Sequence, residues 1–290
     1  MKKDKMNRVL IVIIALLLIA TGGYLIYGKL NQDKDVNEKQ TPQNQDKKEN
    51  KLTELAPDDK IVEAALTSFA NLDITAASLY GGDAYNISSI SKLDLIATAF
   101  KLSGAIYPQC GDPISPEPTV SIEELNTKLT SVLLNPALFT LEDIKAVASS
   151  QAAAIENYTV KNVGIIIKGD RLQLLGWCGN TGPISQYTAK KVLKAEKNDN
   201  YVYIYQKEAF AKYNSDTSNY AQEPAIENYD YYKEYNFQTK IQSLQNPFEN
   251  SGNVESKTGG ELTWNSYNTY KYTFKIVNNQ YYFQSLERVK

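Results

Sequence analysis

The chain has 290 residues, a formal net charge of -2 and no histidine. The near-neutral balance excludes a nucleic-acid partner, because phosphate neutralisation needs a basic surface. The lack of histidine excludes Ser-His and Cys-His nucleophiles and His-ligated zinc or haem, leaving carboxylates, Lys, Tyr and two cysteines for any chemistry. No cofactor or metal site is expected. The 21 tyrosines, with plentiful Lys, Asn and Ile, match the codon bias of an AT-rich bacterial genome, and an aromatic glycan-binding surface is the alternative reading.

Residues 9–27, VLIVIIALLLIATGGYLIY, are apolar and uncharged. At the helical rise they span roughly 30 Å, the hydrocarbon core of a bilayer. Lys2, Lys3, Lys5 and Arg8 precede this run against a single Asp4, so the positive-inside rule puts residues 1–8 in the cytoplasm and the rest outside. The alternative is a cleaved signal peptide at Ala20-Thr21-Gly22, but Tyr24 to Tyr27 carry the apolar run past that site. Residues 28–52 follow as a linker. From Asn31 to Lys51 it has one Val and no aromatic residue, too little apolar surface to offset the entropy of ordering.

Residues 53–290 read as one extracytoplasmic α+β domain. Pro57-Asp58-Asp59 opens a helix in which Ile61, Ala65 and Phe69 recur at spacing four, with Val62 and Leu66 beside them. Ser91 with Asp94, Ser121 with Glu124 and Thr140 with Asp143 have capping-box spacing, each ahead of an apolar stripe. Gly104 suits a helix stop after Phe100.

After Asn157 the pattern alternates. Tyr158 to Lys168 and Arg171 to Cys178 form a hairpin about Gly169-Asp170. Gln186 to Lys197 and Tyr201 to Lys212 form another about Asn198-Asp199-Asn200. Tyr231 to Leu244 is a fifth strand. The run from Tyr270 to Ile276 alternates with period two, and Asn278-Asn279 turns it into Tyr281 to Val289. The expected fold is therefore several helices packed on one curved antiparallel sheet of about seven strands. Asn214 to Asp230 and Gln245 to Thr263 read as loops.

Cys110 lies in PQCGDPIS and Cys178 in GWCGNTGPIS. In an oxidising compartment two cysteines read as one disulfide, and closing so long a loop stabilises by about 4 kcal/mol in the chain-entropy model. A reactive thiol is the alternative. It has no His to activate it and no Lys or Arg within three residues of Cys178.

The CGNTG turn at Cys178 to Gly182 and the ending TYKYTFKIVNNQYYFQSLERVK resemble membrane-anchored extracytoplasmic proteins of low-GC Gram-positive bacteria, a group with no established activity. The resemblance covers residues 85–290 and transfers no site residue. The final hairpin also loosely resembles nuclear-transport-factor-2-like and cystatin-like folds, which implies architecture only.

These features point to a non-enzymatic binding or structural protein of the cell envelope, single-pass in the cell membrane, whose partner is an envelope protein or wall polymer. One alternative is a carboxylate-dependent envelope hydrolase, which needs two carboxyl groups across a cleft. Asp170, Glu208, Glu234 and Glu287 lie in or beside strands, and no spacing singles out a pair. Another is a sensor or assembly factor acting through its transmembrane helix. No catalytic residue is assigned.

Overall fold

Helix starts are written in the sequence as capping side chains, and the computed structural model realises them. It describes residues 51–108, 118–150, 157–161, 163–176, 185–219, 227–245 and 262–290, all in the unit Asn50–Lys290. The apolar run 9–27, the linker up to residue 50, Cys110 and Cys178 lie outside the described residues. No helix among the described residues is long and apolar enough to cross a membrane.

Five helices occur among the described residues. They are α1 (Lys60–Ala70), α2 (Ala76–Tyr80), α3 (Lys92–Ser103), α4 (Ile122–Leu129) and α5 (Leu141–Val147). Asp59 caps α1 by accepting from the Ile61 amide at 2.8 Å. Ser121 with Glu124 and Thr140 with Asp143 form complete capping boxes, each satisfying two amide donors at a helix start. Gly104 ends α3 in the left-handed conformation (φ 64°), where a Cβ is strained.

The third box is only half made. Ser91 accepts from the Asp94 amide at 3.0 Å, but the Asp94 carboxylate turns inward instead of back to the cap. Its side chain is 1% exposed and ion-pairs with Lys161 at 3.0 Å, while accepting from the Thr75 amide at 3.1 Å and the Ser78 hydroxyl at 3.3 Å. Lys161 also binds the Asp73 carboxylate at 2.8 Å. The competition is unequal. A cap hydrogen bond in water contributes about 1 kcal/mol, whereas a buried ammonium needs a counter-charge.

The strands in chain order are β1 (Thr53–Leu55), β2 (Ala84–Asn86), β3 (Ile106–Pro108), β4 (Val120–Ser121), β5 (Ser149–Ser150), β6 (Asn157–Val160) and β7 (Val163–Lys168). There follow β8 (Arg171–Gly176), β9 (Gln186–Lys197), β10 (Tyr201–Tyr213), β11 (Asn228–Tyr232), β12 (Lys240–Gln245), β13 (Asn268–Val277) and β14 (Gln280–Val289). They make two sheets where the sequence pattern predicts one. The main sheet runs β1-β9-β10-β13-β14-β2, with β11 added to β10 and β12 to β11. The smaller sheet runs β3-β8-β7-β6-β5, with β4 on β8. All pairings are antiparallel except β3 with β8.

The α+β class and the mainly antiparallel pairing stand, and the single seven-stranded sheet is corrected. Two expected strands are each two. Tyr158 to Lys168 breaks at Lys161 (φ 51°), where Val160 pairs with Val163. Tyr231 to Leu244 breaks about Phe237 (φ 57°), so β11 begins inside the segment read as a loop. The three long-strand turns match expectation: Gly169 (φ 67°), Asn278 and Asn279 (φ 50° and 61°), and Asn198, whose side chain accepts from the Asn200 and Tyr201 amides.

α1 packs on β10 and β14 of the main sheet, burying Val62, Ala65 and Phe69. α3 and α5 contact β6 of the smaller sheet, and α3 also contacts β3. One apolar core runs through the helices from Leu172 and Leu174 on β8 to Tyr272, Phe274 and Phe283 on β13 and β14. A second, smaller core of Tyr229, Tyr231, Trp264 and Tyr267 covers one end of the opposite face of β10. Many tyrosines are thus core residues.

Candidate functional site

The site begins with the phase of β10. Val202, Ile204, Gln206, Glu208 and Phe210 are all buried on the face toward the helices, while Tyr201, Tyr203, Tyr205 and Lys207 alternate with them on the other. Two polar residues thus continue an apolar row into the core. The register sets their neighbours. Glu208 lies opposite Lys190 of β9, and Gln206 opposite Val192. A bulge in β9 between these pairs and the Lys194–Tyr205 pair keeps Lys190 and Val192 in the inward phase.

Over this part of the sheet α1 and the segment after it leave a cleft of about 610 Å³. Its apolar walls are Leu66, Phe69, Leu72, Ile74, Leu79 and Val192, and its polar lining is Lys101, Lys190 and Gln206. The volume lies in the range of small-molecule sites. Lys101 is committed to the fold, since its ammonium donates to the Ala70 carbonyl at 2.7 Å at the end of α1. Lys190 makes no hydrogen bond or ion pair among the described residues. Its ammonium lies 5.3 Å from the Phe69 ring centroid and 5.9 Å from that of Tyr272. Gln206 is 2% exposed, and no group among the described residues satisfies its Nε2.

Behind this lining sits Glu208, fully buried. Its Oε1 accepts from the Tyr272 hydroxyl, which in turn lies 3.4 Å from the Tyr80 hydroxyl. No group satisfies its Oε2. Burial pushes the Glu208 carboxyl above the usual range, and Lys190 and the two tyrosine hydroxyls pull the other way without reversing it. Burial raises the Tyr80 and Tyr272 phenols too, with the Glu208 charge adding to it.

None of the four carboxylates that sequence reading offered to a hydrolase lines this cleft. Asp170 follows Gly169 in the β7–β8 turn, and Glu287 on β14 pairs with Lys271 at 2.6 Å. Glu208 and Glu234 both act on Tyr270, whose hydroxyl burial and Glu208 together raise to about 12. Neither glutamate lines the cleft described above, nor a second one of about 420 Å³ bordered by Ile87, Leu95, Leu133 and Gln284. No cluster of metal-ligating side chains occurs among the described residues.

The outward row of tyrosines offers few open ring faces. The Lys194 ammonium stands 4.3 Å from the Tyr205 centroid, that of Lys271 5.1 Å from Tyr203, and Tyr201 stacks on Tyr203.

Sequence reading named Glu208 and missed Lys190, Gln206, Tyr80 and Tyr272. The legible signal was the phase of YVYIYQKE, where Gln206 and Glu208 fall in step with Val202 and Ile204. Nothing local marks Lys190, because QYTAKKVLK has no clean alternation. The cleft is read on this geometry alone, since no family model, curated protein or solved structure matches the chain.

Proposed function

We propose that this is a membrane-tethered, non-enzymatic binding domain of the cell envelope that holds its ligand in the cleft between α1 and the inner face of β9 and β10. The observation that carries the reading is that two of the three polar side chains lining the cleft, Lys190 and Gln206, have N–H donors that no hydrogen bond or ion pair among the described residues satisfies. Folding alone selects against buried polar groups without partners, so the buried Gln206 amide, with the half-buried Lys190 ammonium beside it, points to a partner that is not part of the fold. The apolar run 9–27 and its positive N-terminal flank support the anchor, and Cys110 with Cys178 support a disulfide in an oxidising compartment.

The test is purification of the full chain from its native membrane, followed by organic extraction and mass spectrometry. A small molecule recovered in stoichiometric amount from wild type, and lost from Leu66→Trp, which fills the cleft, is the expected result. No recovered molecule and no saturable binding at the cleft would sink the reading. A thiol titration under denaturing, non-reducing conditions checks the cysteines, with no free thiol expected.

The hydrolase reading keeps one point in its favour. Glu208 and Glu234 each have a carboxylate oxygen that no group satisfies, and both act on Tyr270. Release of soluble fragments from wall polymer by the purified protein, abolished by Glu234→Gln, would favour it over binding.

A further inference from the structure

Resting on the binding reading, we infer that the ligand is an amphipathic monoanion: a single carboxylate-type head on an apolar chain, with the head on Lys190 and Gln206.

The cleft lining has cations and no carboxylate. Of its two lysines, Lys101 is held by the end of α1, so Lys190 is the one whose ammonium the fold leaves unbonded. Lys190 and Gln206 face inward from neighbouring strands, opposite Glu208 and Val192 respectively, and both present N–H donors. An ammonium and an amide N–H together match an anionic oxygen head, since charge-assisted hydrogen bonds are the strong ones.

Glu208 is the one carboxyl positioned to neutralise Lys190 from within. It makes no ion pair with it among the described residues, and burial disfavours its charged form, so it is a poor internal counter-ion for Lys190. Lys101 apart, the other lining side chains are Leu66, Phe69, Ala70, Leu72, Ile74, Leu79 and Val192, none of which carries a hydroxyl or amide to recognise sugar or peptide polarity. A glycan would leave most of its hydroxyls unpaired against these walls, and a polyanion would find one free cation. An apolar chain matches them.

The experiment uses the full chain in zwitterionic nanodiscs, with empty nanodiscs subtracted, titrated with octanoate, octanol and octyltrimethylammonium and followed by calorimetry. Octanoate is expected to bind saturably and roughly tenfold more tightly than either other probe, the effect of one charged hydrogen-bonded contact. Lys190→Met is expected to lower octanoate affinity to that of octanol measured on the same variant. Leu66→Trp is expected to abolish all three.

Equal affinity for octanoate and octanol, or preference for the ammonium probe, overturns the anion assignment and leaves the cleft as a binding site. Saturable binding by none of the three overturns both readings. If Lys190→Met fails to fold, the three-probe comparison on wild type still decides the ligand's charge.

Discussion

Asp94 and Glu208 are both carboxylates buried to the same degree, and the fold treats them in opposite ways. Asp94 has a cation at 3.0 Å, a backbone amide and a hydroxyl, so both its oxygens are bonded. Glu208 has no cation bonded to it: its Oε1 accepts from the Tyr272 hydroxyl, with Tyr80 beyond, and its Oε2 has no hydrogen-bond partner among the described residues. The Asp94 cluster joins α3 to the β6–β7 turn and holds the layers in register. The Glu208 cluster joins β10 to β13, which already pair, and reaches α2 only through the Tyr80 hydroxyl, and it lies against the cleft. A satisfied buried charge belongs to the architecture; a half-satisfied one, beside a cavity, marks where the architecture was compromised for another purpose.

The comparison breaks if the two clusters respond alike to loss of a partner. Lys161→Met leaves the Asp94 charge buried and uncompensated, and the expected loss is about 3–5 kcal/mol in urea unfolding. Adding Asp94→Asn to that variant is expected to recover part of the loss, because the pair is coupled. A loss under 1 kcal/mol for Lys161→Met would show the ion pair to be incidental. Tyr272→Phe takes away the hydroxyl that donates to Glu208 Oε1 and is expected to cost about 1–3 kcal/mol, less than Lys161→Met, because burial already disfavours the charged form of Glu208 and a lost hydrogen bond costs less than an uncompensated buried charge.

How far these two sites were visible beforehand differs as well. Ser91-x-x-Asp94 announces a helix start, and α3 begins there, but the same motif concealed the role of Asp94, whose partner is Lys161. Capping chemistry is local and legible, whereas a long-range ion pair is not. The smaller sheet stayed hidden because β3, β4 and β5 are two or three residues long, too short to show a period of two. The breaks within Tyr158–Lys168 and Tyr231–Leu244 stayed hidden because Lys161 and Phe237, not Gly or Asn, adopt positive φ. Where Gly169, Asn278 and Asn279 do so, the turns were legible. Glu208 was legible by its phase in β10, and the cleft was not, because its walls come from α1, α2 and residues between them as well as from the strand.

A pH series sharpens the contrast from the Glu208 side. Its carboxyl is raised in the folded state, so between the unfolded value of about 4.3 and the higher folded one the folded chain holds the extra proton. Its stabilising contribution is therefore complete below the unfolded value and declines as pH rises through the folded one. Glu208→Gln cannot ionise, so its melting temperature is expected to fall less than that of wild type between pH 4.5 and the folded value. Parallel melting curves across that interval would mean that Glu208 titrates as an ordinary carboxyl.

The smallest expected effect on stability is the most telling. Lys190 is half-buried, inward-facing and next to a buried carboxyl, a description that also fits Lys161. If position alone decided the matter, the two methionine variants would unfold alike. Lys190 differs in having no ion pair and no hydrogen bond among the described residues, so Lys190→Met removes no bonded partner and adds apolar surface beside Leu66 and Val192. Its unfolding free energy is expected to stay within about 0.5 kcal/mol of wild type or to rise. A lysine that costs the fold nothing to lose is kept for what it binds, and the same variant is expected to bind octanoate no more tightly than octanol. A loss of 3 kcal/mol instead would place Lys190 with Lys161 as a structural cation and Glu208 with Asp94 as its counter-charge.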